Sequence, residues 1–167
     1  MEANAKLYTL HYDEVKTYLW AAVFVVCNMA LPQLFHLIPQ GGIIFAPLSL
    51  VILAGAYKFG WKVGLLAAVA SPLVNHFVFG QPVWGVLQVM TLKLVVLALA
   101  AGLTAQYFKK VTLPLLIGVV LVAEVIGGLG ELALTGGIAA TIEDFTIGWP
   151  GLLLQILGTY LICKYLP

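Results

Sequence analysis

The sequence predicts an all-α integral membrane protein, a single domain over residues 1–167 with six transmembrane helices and both ends on the cytoplasmic side. Composition is the first reason: 62% of the residues are apolar, 9% are charged and the mean hydropathy is +1.06. Soluble domains are roughly 45–50% apolar and about 25% charged. The lysines are the second reason. The chain has no arginine, and every lysine except Lys93 falls where one side of a six-span protein would be: Lys6 and Lys16 before the first span, Lys58 and Lys62 at the second turn, Lys109 and Lys110 at the fourth, Lys164 at the end. The intervening turns carry His36, Gln40, Gln81, Glu143 and Asp144 instead. Short cytoplasmic loops are enriched in Lys and Arg, so the lysine-free side is expected to be extracytoplasmic and the location a bacterial cytoplasmic (inner) membrane.

Each span follows from an apolar run and its punctuation. Residues 1–16 are mixed and polar, with Glu2, Lys6, Asp13 and Glu14. They lack the basic flank and small-residue cleavage site of a signal peptide and are expected to form a retained lead-in. The first span, 17–37, carries Pro32 late, where it kinks or ends the helix. A Gly-bearing polar stretch follows through Pro39, Gln40, Gly41 and Gly42. The second span, from 45 to the Tyr57-Lys58-Phe59-Gly60 turn, is short and therefore tilted or partly re-entrant. The third, 61–79, contains Pro72 and ends at a Gly80-Gln81-Pro82 turn. The fourth is long, 83–108, and the fifth runs over 113–134. Gly136-Gly137 and an acidic loop holding Glu143 and Asp144 lead to the sixth, 148–165. Small residues at four-residue spacing (Gly60, Gly64 and Ala68; Ala98 and Gly102; Ala123 and Gly127) provide faces for close helix packing in lipid.

Several functions are excluded or disfavoured. No basic patch exceeds Lys109-Lys110, which argues against nucleic acid as a partner. Cys27 and Cys163 fit no metal or redox spacing and read as small buried hydrophobes. His36 and His76 have no carboxylate or Cys at ligand spacing, so no metal site is expected. No cofactor loop, nucleophile elbow or zinc-protease motif occurs, and the protein is not expected to be an enzyme.

Attention turns to the polar groups that must survive in hydrocarbon, where each is expensive. Lys93 and Glu124 lie at similar depths in adjacent antiparallel spans, so the two are expected to face each other, either as a structural ion pair or as part of a ligand cavity. Glu131 follows Glu124 by seven residues, nearly two turns, on a similar face with Gly127 and Gly128 between them. Asn75 and His76 close the third span near the outer surface, just after Pro72, as either an interfacial helix end or a capture site. Gln88 extends the Lys93 stripe only in part. Trp84 and Trp149 fit an aromatic belt or a stacking platform for a flat ligand.

The order of these features resembles a known family. The outer loop His36-Leu-Ile-Pro39-Gln40-Gly41-Gly42, then Ala46-Pro47 opening a short helix, the Gly55-x-x-Lys-x-Gly60-x-x-x-Gly64 turn, and the run Ser71-Pro72-Leu-Val-Asn75-His76-Phe-Val-Phe-Gly80-x-Pro82 look like the substrate-binding S components of energy-coupling factor (ECF) transporters. The resemblance spans nearly the whole chain. It implies a small membrane cup that takes a vitamin, a precursor or a metal ion from outside, with a scaffold membrane subunit and two ATPase subunits supplying energy while the cup topples in the bilayer. By position, the pocket would use Lys93, Glu131, Trp84, Gln88, Trp149 and Gln155, with the loop around Gln40 as a lid. The Ala-x-x-x-Ala face that such proteins carry on the first helix is interrupted here: Ala22 and Ala30 flank Val26. The His-based N-terminal motif of the metal-carrying members is missing from Met1-Glu2-Ala3-Asn4, so the implied cargo is an organic micronutrient. Two other classes remain open: a non-transporting membrane scaffold or assembly protein, and a lipid-modifying enzyme centred on Glu124, Glu131 and His76.

Overall fold

The computed structural model describes residues 2–3, 6–35, 37 and 39–165. The chain is all-α apart from two two-residue strands. In order it forms β1 (Glu2–Ala3), α1 (Val15–Phe35), α2 (Gly41–Phe45), α3 (Pro47–Phe59), α4 (Trp61–Phe79), α5 (Trp84–Phe108), β2 (Val111–Thr112), α6 (Leu113–Thr135), α7 (Ala139–Thr146) and α8 (Trp149–Tyr165). Among these, α1, α4, α5 and α6 are long and apolar enough to cross a bilayer. Helices α7 and α8 meet at a 71° bend and make a fifth span if the pair is taken as one. The chain is thus a multi-pass membrane protein by length and composition.

Helix α3 explains why the span count falls below the six expected. It has 13 residues, six fewer than α4, or ~9 Å less helix. Pro47 starts it at the first turn, where a missing N–H costs nothing, and the positive φ of Gly60 ends it. It packs against α1, α4, α5 and α8, and nearly all of it is buried, Ile52, Leu53, Ala56 and Tyr57 completely. A helix ringed by helices meets no lipid and need not match the bilayer thickness. The surrounding helices carry the opposite signature. Val15, Leu19, Val23 and Val26 on α1, and Leu121, Val122, Val125 and Ile126 on α6, are exposed. In water such stripes are untenable, whereas in hydrocarbon they are the expected outer wall.

Small residues set the closest contacts. A Cβ on Gly102 would strike the backbone of Trp61, and one on Gly64 would strike Ala56, so α3, α4 and α5 approach backbone to backbone. Short turns make neighbours antiparallel, which collects the chain's lysines, Lys93 excepted, at one end of the bundle. The N-terminal segment straps across that end rather than trailing from it. Its β1 pairs with β2, Tyr8 N–H donates to Lys58 O (2.7 Å), Leu10 N–H donates to Phe59 O (3.2 Å), and Tyr8 stacks on Phe59. The Tyr57 hydroxyl donates to Lys110 O at 2.8 Å, tying the second and fourth turns together.

Two elements departed from sequence expectation. The stretch after Gln40 folds into the short helix α2, entered through Gln40 in the left-handed conformation (φ 58°). The supposed acidic loop is the helix α7.

Candidate functional site

The short hub helix leaves room above its N-terminus. A cavity of about 770 Å³ fills it, walled by residues of α1, α4, α5, α6 and α8 away from the end where the other lysines gather, by the start of α3 and by α7. On α5 the wall runs from Gly85 to Leu97, so the cavity penetrates about 18 Å along that helix. Its volume falls within the range of sites for small organic ligands, about 300–1,000 Å³. Most of the wall is apolar, with Phe79, Met90, Leu94 and Leu152 among its members, while a few polar side chains converge on it.

The ionic centre differs from the pair expected from sequence. Lys93 does not pair with Glu124: its Nζ donates to Asp144 Oδ2 at 2.7 Å and lies 3.4 Å from Glu131 Oε2. Similar depth on adjacent helices put Lys93 and Glu124 in the same cavity but did not aim them at each other. The lysine stem instead runs over Gly127, where a Cβ would come within 2.9 Å of Lys93 Cγ, and this carries the ammonium one turn further towards Glu131. Gly128 gives the same clearance to Thr141, 2.9 Å from a Cβ there. The two glycines are therefore a seat for the Lys93 stem and for α7.

Glu131 is the anchor of α7. Its carboxylate accepts Ala140 N–H (2.7 Å), Thr141 N–H (2.9 Å) and the Thr141 hydroxyl (2.7 Å). The first N–H groups of any helix lack intrahelical partners. The N-cap of α7 is Ile138, whose side chain cannot accept, so Glu131 caps the helix from a distance. Charge, dipole and hydrogen bonds act in the same direction here. With these bonds and Lys93, the carboxylate is fully committed to holding the wall.

Asn75 joins the cavity to the α1–α4 seam. Pro32 has no N–H, which frees the carbonyl of Asn28 one turn earlier. Asn75 Nδ2 donates to that carbonyl at 2.9 Å and also to Ser71 O, while Asn28 Nδ2 donates to Ser71 Oγ at 3.0 Å. The kinked helix is thereby fastened to α4 by side-chain amides.

Two acceptors on the cavity wall have no partner: Glu124 Oε2 on α6 and Gln155 Oε1 on α8. Gln155 is only 1% exposed. Buried polar atoms are nearly always paired; two others without a partner, Asn28 Oδ1 and Thr159 Oγ1, belong to residues outside the cavity wall.

Of the residues singled out from sequence, Lys93, Glu131, Asn75, Gln155 and Glu124 line the cavity. Trp84, Gln88, His76, Trp149 and Gln40 are not in its wall. Trp84 and Trp149 are 60% and 56% exposed and turn outward at their helix ends. Gln88 lies about 140° around the helix from Lys93 and is exposed, as the five-residue spacing requires. His76 Nδ1 is bonded to Pro82 O at 2.8 Å, with its ring beside Trp84, so it braces the α4–α5 turn. Gln40 is exposed and occupied with starting α2. His36 lies outside the described residues. Asp144 and Thr141 are the members that sequence missed, because α7 lacks a capping residue of its own and offers too few turns for a periodic signal. Among the described residues, no group of three His, Cys, Asp or Glu side chains is placed to hold a metal ion. No protein-family model, curated protein or solved structure matches this chain.

Proposed function

We propose that this protein is the substrate-binding subunit of an ECF-type uptake transporter, capturing a small organic micronutrient from the extracytoplasmic side of a bacterial cytoplasmic membrane. The observation that carries this reading is the position of the cavity: it opens at the lysine-free end, with all the lysines except Lys93 gathered at the other. Under the positive-inside rule the mouth then faces out and both termini face in. On this reading α3 counts as the sixth crossing, made short because protein rather than lipid surrounds it.

The sequence carries no glycine-rich phosphate-binding loop with its Lys, and on this reading the energy comes from partners: a scaffold membrane subunit and two ATPase subunits. The protein itself binds and does no chemistry. The pocket also speaks against a pure scaffold role, since a packing protein gains nothing from a large, mostly apolar hollow.

Native mass spectrometry of the protein released from lipid nanodiscs tests the reading. The expected result is an adduct of a drug-sized organic molecule. It should be lost in a cavity-filling Ala123→Phe variant and accompanied by ATPase subunits when the complex is purified from its membrane. A protein that carries nothing, and leaves the membrane only with partners unrelated to nucleotide hydrolysis, overturns it.

A further inference from the structure

The charges on the cavity wall do not balance. Among the described residues Lys93 is the one lining cation, against four lining carboxylates, Glu124, Glu131, Glu143 and Asp144. Glu143 is exposed at the rim. Lys93 is already engaged by Asp144 at 2.7 Å and Glu131 at 3.4 Å, and Glu131 is saturated by the start of α7. The lysine is therefore not available to receive an anion. An anionic ligand would have to displace Asp144 and leave a further carboxylate uncompensated.

What remains unsatisfied has a single character. Glu124 Oε2 and Gln155 Oε1 are both buried acceptors with no donor, and both belong to residues that line the same hollow from neighbouring helices, α6 and α8. Gln155 comes from a different helix than any of the acids and is 1% exposed, so its orphaned oxygen is independent of the carboxylate cluster. A buried acceptor without a donor is costly, and a buried carboxylate more so. Both costs vanish if the occupant brings N–H donors and a positive charge. The surrounding wall of Phe79, Met90, Leu94, Leu97 and Leu152 suits an apolar or aromatic body.

We propose that the occupant is an organic cation, a protonated amine or protonated ring nitrogen on an apolar body, with its N–H group held by Glu124 and a second donor accepted by Gln155. This inference rests on the cup reading above and narrows its substrate class. Lys93 and Glu131 are then positioning residues: they hold α7 and Asp144 in place and do not receive the ligand.

The test uses the protein in lipid nanodiscs and two probe sets, each with a common ring and two-carbon tether and a cationic, neutral or anionic end group. One set is tryptamine, tryptophol and indole-3-propionate; the other is phenethylamine, 2-phenylethanol and 3-phenylpropionate. Binding is read by isothermal titration and by the shift in thermal unfolding. The amine of at least one set should bind at least 10-fold tighter than its alcohol or carboxylate. Glu124→Gln should reduce amine affinity roughly 10- to 100-fold, the worth of a buried charge-assisted hydrogen bond, and leave the alcohol unaffected. Unliganded Glu124→Gln should melt no lower than wild type, because it replaces a desolvated carboxyl group whose Oε2 has no partner to lose. Should that variant fail to fold, Gln155→Leu serves in its place and should weaken the amine alone. A cavity that prefers the carboxylate or the alcohol, or an amine preference that survives the substitution, overturns the cation while leaving the cup standing. If no probe of any charge binds, both inferences fall together.

Discussion

Replacing Glu131 by alanine should release α7 while leaving the bundle intact. Helix α7 has no buried residue, so little packing holds it in place once its polar anchor is gone. The anchor consists of three bonds of 2.7–2.9 Å to one carboxylate, and the ion pair to Lys93 adds to it. Hydrogen bonds to charged groups contribute about 1.5–3 kcal/mol each, but bonds sharing one acceptor are not additive. A joint loss of about 3–4 kcal/mol is a reasonable total, equal to roughly 100- to 1,000-fold in the docking equilibrium. Hydrogen exchange read by mass spectrometry measures this directly. The amides of Ala140 and Thr141, which donate to Glu131, and the rest of α7 should exchange faster by about that factor. Amides in the interior of α3, completely buried at Ile52 and Leu53, should keep their wild-type protection. Thr141→Val, which removes only the hydroxyl, should produce a smaller acceleration of about 10-fold, the low end for one bond to a charged group. If α7 remains as protected in Glu131→Ala as in wild type, the remote-capping argument is wrong. If exchange accelerates uniformly through the molecule, Glu131 supports the whole fold and not this wall.

Two further substitutions probe the scaffold. Asn75→Leu strands the Asn28 carbonyl that Pro32 has freed, and should lower stability by about 1–3 kcal/mol in a thermal or denaturant melt; an unchanged midpoint would mean that the α1–α4 seam is held by apolar packing alone. Gly102→Ala pushes a methyl group into the Trp61 backbone and should cost about 1–3 kcal/mol, whereas Gly118→Ala, with open space around it, should be nearly neutral in the same assay.

The helices that meet lipid were readable from sequence almost to the residue. Span 61–79 coincides with α4 (Trp61–Phe79), and 83–108 differs from α5 (Trp84–Phe108) by one residue. A helix in hydrocarbon must satisfy its own backbone and carry apolar side chains all along its length, so composition and boundary are the same signal. That argument is silent about short helices. Helix α2 has five residues and α7 eight, and neither is stabilised by local sequence: Gln40 and Ile138 precede them without a side-chain cap. Helix α7 exists because something distant completes it, a carboxylate from α6.

The candidate site divides along the same line. Sequence alone determined which ionisable groups fall inside apolar helical runs, Lys93, Glu124 and Glu131, and that the other lysines fall at alternate turns, because composition and charge asymmetry act residue by residue. Only the tertiary structure decided who pairs with whom. The clearance over Gly127 and Gly128 and the return of α7 hand Lys93 to Asp144 and Glu131 and leave Glu124 Oε2 without a partner. Depth in a membrane is a one-dimensional quantity that a sequence records, whereas the direction in which a side chain points depends on helices packed from distant parts of the chain.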